Sequence, residues 1–118
     1  MGAWTLTVRN GPRVERARFQ TLGAALAGLE QRIDELAPQA RRKSVRAFAR
    51  EIEPVRQVAV RAEVSGPGWL LPSVRGGVDL RGDGSTEAFT GHWRRRLISP
   101  QRGESAIVAL RRVLVPES

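Results

Sequence analysis

The chain has 118 residues and a formal net charge of +8, from 20 Lys and Arg against 12 Asp and Glu. That length suits one domain covering residues 1–118. It contains no cysteine, which excludes a disulfide framework, a zinc ribbon and a thiol nucleophile; its one histidine, His92, makes no histidine cluster. No run approaches the ~20 continuous apolar residues of a membrane span, so no membrane partner, metal or cofactor is expected.

The opening M-G-A-W-T-L-T-V-R has no basic region followed by an apolar stretch, and a cytoplasmic location is the expectation. Lys43 is the only lysine, every other cation being arginine. Arginine's planar fork suits phosphate, but a GC-rich coding sequence yields the same bias. Net charge therefore carries weight here and arginine preference little.

Trp4 to Arg9 alternates apolar Trp4, Leu6 and Val8 with Thr5, Thr7 and Arg9, a half-buried strand. Asn10-Gly11 suits a tight hairpin turn, and Arg13 to Phe19 is the returning strand. Val14, Ala17 and Phe19 do not share one face, and a bulge would repair the register. Thr21 caps a helix from Leu22 to Ala37, striped by Leu22, Ala25, Leu26, Leu29, Ile33 and Leu36 and stopped by Pro38. Residues 39–53 fit a helical stripe (Val45, Phe48, Ala49, Ile52) and a strand alternation equally.

Val55 to Val64 alternates again, and Val74, Gly76, Val78 and Leu80 share a face. Gly82-Asp83-Gly84-Ser85 turns the chain into its most distinctive stretch, Glu87 to Ile98. As one strand, that stretch places Phe89, Gly91, Trp93, Arg95 and Leu97 on a core side. Ala88, Thr90, His92, Arg94, Arg96 and Ile98 then form a basic outer row. A last helix, Glu104 to Val115, carries Ile107, Leu110 and Leu114 on one stripe, with Glu104 and Arg111-Arg112 complementing its dipole. The expected class is α+β: an antiparallel sheet, made of the N-terminal hairpin plus three or four later strands, with two helices packed on one face.

Ten cations face four anions in residues 1–50, four face six in 51–90, and six face two in 91–118. If the two basic ends meet, they make one positive face, the electrostatic footprint of nucleic-acid binding. Arg94 and Arg96 with His92 would face the ligand, and Arg41, Arg42 and Lys43 would form an auxiliary patch. A solvated surface set by codon composition is the plainer alternative. Phe89 and Trp93 read as core before they read as stacking residues. Trp69, followed by Leu70 in a Gly- and Pro-flanked loop, reads either as an interface anchor or as a lid on the core.

Asp79, Asp83 and Glu87 surround one hairpin, which suits a divalent cation or ordinary turn acids, the latter being the simpler reading. Arg81-Gly82-Asp83 is likewise turn chemistry before it is an adhesive tripeptide. No phosphate-binding glycine loop, zinc-protease or nucleophile-elbow motif occurs, so no catalytic residues are assigned and a non-enzymatic role is expected. The order helix, three strands, helix from Leu22 to Val115 resembles that of double-stranded-RNA-binding domains, and a sheet with two helices is similar to that of small ribosome-hibernation factors. The resemblance ends at element order: Gly103-Glu104-Ser105-Ala106 stands where an RNA-binding domain opens its last helix with lysines, and fold alone does not transfer function. The expected function is a basic binding module for RNA or DNA backbone, without sequence preference. The alternative is a protein-interaction or homodimeric assembly domain using the Trp69 loop and a strand edge.

Overall fold

The computed structural model describes residues 4–47, 58–66, 75–91 and 95–115, the side chains of 41–47 excepted. The elements are β1 (Trp4–Asn10), β2 (Arg13–Phe19), α1 (Leu22–Ala47), β3 (Val58–Ser65), β4 (Arg75–Arg81), β5 (Thr86–Thr90), β6 (Arg96–Leu97) and α2 (Ala106–Leu114). The strands form one antiparallel sheet in the order β2-β1-β3-β4-β5-β6. Helix α1 lies mainly on β1 and β3, and α2 on β4 and β5. The expected α+β class, with its N-terminal hairpin and two helices on one face, is the fold observed. No helix among the described residues is long and apolar enough to cross a membrane.

The core is the apolar phase of each strand. Leu6 and Val8 of β1 sit opposite Val64 and Ala62 of β3, and Ala62 sits opposite Val78 of β4. These residues are buried beneath Ala25, Leu26, Leu29, Ile33, Leu110 and Leu114 of the helices. Gly11 takes φ 60 in the hairpin turn, the left-handed conformation that Asn-Gly accepts. β2 then pairs with β1 in unbroken register, so the expected bulge is not needed. As the outermost strand it leaves Val14 43% exposed. It seats only Phe19 on the core, against α1 at Gly28, where a Cβ would come within 2.6 Å of the ring.

Thr21 caps α1 as expected, its Oγ1 accepting from the Ala24 N–H at 3.1 Å. The expected stop at Pro38 is corrected: α1 continues to Ala47 with Pro38 inside it. Proline in a helix interior costs about 3 kcal/mol through a lost hydrogen bond and a clash. The buried stripe Ile33, Leu36, Ala40 runs past it at helical spacing and offsets that cost. The two-way reading of 39–53 therefore resolves to helix through Ala47, and 48–53 lie outside the described residues.

The stretch from Glu87 to Ile98 is also corrected. β5 ends at Thr90, Gly91 takes φ 123, and the chain returns as β6, pairing Phe89 with Leu97 and Thr90 with Arg96. Its two sides are inverted relative to expectation. Ala88, 1% exposed, faces the helices and Ile98 packs against the core; Phe89 and Leu97 lie on the other side. The cause is steric. α2 approaches β4 so closely that a Cβ at Gly76 would lie 3.1 Å from Leu110 Cδ1, which favours small residues beneath it. The Phe89 ring instead lies over Gly77, where a Cβ would come within 2.8 Å of it.

α2 starts later than expected, at Ala106, with Ser105 as N-cap and its Oγ accepting from the Val108 N–H. Glu104 lies outside the helix. Its carboxylate accepts from the Gln101 N–H at 2.7 Å and from Arg112 Nε at 2.9 Å.

Candidate functional site

Side chains alternate along a strand, so residues of one phase share a face. With Leu6, Ala62, Val78 and Ala88 turned to the helices, the other phase faces away from them. Strand by strand it carries Arg16 and Arg18 of β2, then Thr5, Thr7 and Arg9 of β1. It continues with Arg61, Glu63 and Ser65 of β3, then Arg75, Gly77, Asp79 and Arg81 of β4. Glu87 and Phe89 of β5 and Leu97 of β6 complete it, with Arg95 beside Leu97. Arginine thus dominates carboxylate on the helix-free face, Arg9, Arg16, Arg18, Arg61, Arg75, Arg81 and Arg95 standing against Glu63, Asp79 and Glu87.

These arginines fall into two groups. On the β3–β6 side Arg61, Arg81 and Arg95 each have a carboxylate. Arg61 donates from Nε and Nη2 to the two oxygens of Asp79 at 2.7 and 3.1 Å, the bidentate geometry of a strong pair. Its guanidinium pKa is raised, chiefly by that hydrogen bond. Arg81 pairs with Glu87. Arg95 reaches the second Asp79 oxygen at 3.9 Å. Arg61 and Arg95 also sit over the Phe89 ring, at 5.8 and 4.9 Å from its centroid. Phe89 is 2% exposed although, among the described residues, neither helix lies on its side of the sheet.

On the hairpin side Arg9, Arg16 and Arg18 are exposed, and Arg75 on β4 is half-buried. None of the four has an ion pair among the described residues. The hairpin's acid is turned away. Glu15 lies in the opposite phase of β2, where it receives Arg32 of α1 at 2.8 and 3.0 Å. Arg32 also donates to Glu35 at 3.1 Å, the first cause of its raised pKa. The cations of α2 are engaged likewise, Arg112 with Glu104 and Arg111 with Glu30 at 3.9 Å.

Of the residues singled out in the sequence, Arg96 lies exposed on the edge strand β6, in the phase of Thr90 rather than that of Phe89. His92, Arg94, Trp69 and Leu70 lie outside the described residues. Arg41, Arg42 and Lys43 belong to α1, their side chains also outside the description. The basic ends do not meet along the sheet, because β2 and β6 are its opposite edges. Arg9, Arg16, Arg18 and Arg75 were missed because none belongs to a run of cations. Their signal was the polar phase of each strand, which becomes one surface once the strand order is known. Asp79 and Glu87 sit directly opposite one another, each engaged by an arginine. Asp83 serves its turn, accepting from the Ser85 N–H at 2.9 Å. The hydroxyl of Ser85, followed by that N–H, holds the Asp83 carboxyl below its ordinary range.

Comparison with protein-family models, curated proteins and solved structures found no match.

Proposed function

We propose that the protein is a non-enzymatic module that binds the phosphate backbone of RNA or DNA on the helix-free face of its sheet. The observation that carries this is the set of Arg9, Arg16, Arg18 and Arg75, which share that face and have no ion pair among the described residues. A guanidinium already held by a carboxylate gains little from a phosphate, whereas a solvated one can neutralise a phosphate and free the counterions condensed on it. Neighbouring residues of one phase lie about 6.8 Å apart along a strand and about 4.8 Å apart across it. Phosphates can therefore be met in several registers, and binding is insensitive to sequence.

The test is fluorescence anisotropy of a labelled RNA strand and a DNA duplex across a salt series. Four phosphate contacts predict a slope of log K against log salt of about −3 for a single strand. Affinity that stays flat with salt, or no binding at low salt, overturns the proposal.

A further inference from the structure

We infer that Arg95, seated on Phe89 and bordered by Leu97, is a base-stacking pad, so that the ligand of the basic face is single-stranded nucleic acid. This rests on the backbone-binding reading and names its ligand class. Arg95 sits 4.9 Å from the Phe89 centroid, its Nη1 is 3.9 Å from Asp79, and its side chain remains 44% exposed. Asp79 is already held bidentately by Arg61. Arg95 is thus anchored from beneath by a ring and from the side by a carboxylate, while a large part of it faces solvent. A guanidinium plane with one face on an aromatic ring presents its other face as a platform on which a base can stack.

Leu97 extends the platform. It pairs with Phe89 across the sheet and is 64% exposed, an apolar side chain left in solvent beside a planar cation. The unpaired arginines begin at the other edge. Six strands put five spacings of about 4.8 Å between β2 and β6, so the track is about 24 Å long. A single strand crossing it lays phosphates on Arg16, Arg18, Arg9 and Arg75 and delivers an unpaired base to Arg95. A duplex satisfies the arginines but keeps its bases stacked inside and leaves the pad unused.

The experiment compares the intact protein's affinity for four labelled probes of equal length: oligouridine, oligothymidine, an abasic-spacer deoxy strand and a DNA duplex. Both base-bearing strands are expected to bind about tenfold tighter than the abasic strand, the scale of one stacked base. In Arg95→Lys, which keeps the charge, and in Leu97→Ala, that ratio falls towards one. Equal wild-type affinity for abasic and base-bearing strands overturns the inference and leaves backbone binding standing; this arm needs no variant. Failure of all four probes to bind overturns both.

Discussion

The helix-free face divides into two regions with the same residue type and opposite circumstances. On the β3–β6 side, Arg61, Arg81 and Arg95 are held by Asp79 and Glu87 and, for two of them, by the Phe89 ring. On the hairpin side, Arg9, Arg16 and Arg18 project from β1 and β2, whose only acid points to the other face and is taken by α1. One set of arginines has its charge engaged within the sheet surface, Arg95 keeping only a stacking face for a ligand, and the other offers its charge to phosphate. Net charge does not distinguish them; the phase of the carboxylates does.

The comparison predicts that changes on the β3–β6 side cost stability. The largest effect belongs to Gly77→Ala, whose added methyl meets the Ala62 carbonyl oxygen and the Phe89 ring. Overpacking of this kind costs about 3 kcal/mol, to be read as a lower midpoint in urea denaturation. An unchanged midpoint would mean that Phe89 is not held against the sheet. Next comes Asp79→Asn, which removes the shared carboxylate from Arg61 and Arg95. Because both arginines are partly solvated, the expected loss is about 1–2 kcal/mol, below that of a fully buried pair. The same variant releases two arginines and should bind an abasic strand, which reports phosphate contacts alone, more tightly and with a steeper salt dependence. Lower stability together with weaker binding would place Asp79 in the binding surface and abolish the distinction between the regions.

The smallest effect concerns a pair away from that face. Arg112, followed by the Gln101 N–H, holds the Glu104 carboxyl below the ordinary carboxylate range. A carboxyl depressed in the folded state contributes stability above its unfolded pKa and loses it as pH falls through the folded value. Glu104 therefore supports α2 at neutral pH and ceases to do so only in acid below its ordinary range. NMR titration of Arg112→Gln should show the Glu104 inflection returning upward; an inflection that stays put would assign the depression to the backbone alone.

The architecture was legible because β1, β3, β4 and both helices carry their apolar residues at the period of the element they form, and Asn10-Gly11 and Thr21 mark boundaries by local chemistry. Other features were not legible. Pro38 is a stop signal locally, and only burial of Leu36 and Ala40 against the sheet shows why the helix continues. The sides of β5 were read from alternation along one strand, which groups Phe89 with Trp93 and Leu97 as core; the close approach of α2 at Gly76 and the space over Gly77 reverse that. The site was less legible still. Runs such as Arg94-Arg95-Arg96 draw attention because they are contiguous, whereas a sheet face is assembled from every second residue of strands far apart in sequence. Arg9, Arg18 and Arg75 come onto one surface only through the order β2-β1-β3-β4.

The most direct test is the salt slope of RNA binding for Arg16→Gln/Arg18→Gln measured beside Arg61→Gln, with thermal melting of each. The hairpin variant should melt like the wild type and lose about 1.4 from the slope, two phosphate contacts on a single strand. Arg61→Gln should melt lower and keep the slope. An unchanged slope in the hairpin variant, or the same loss in both, would contradict the division of the face.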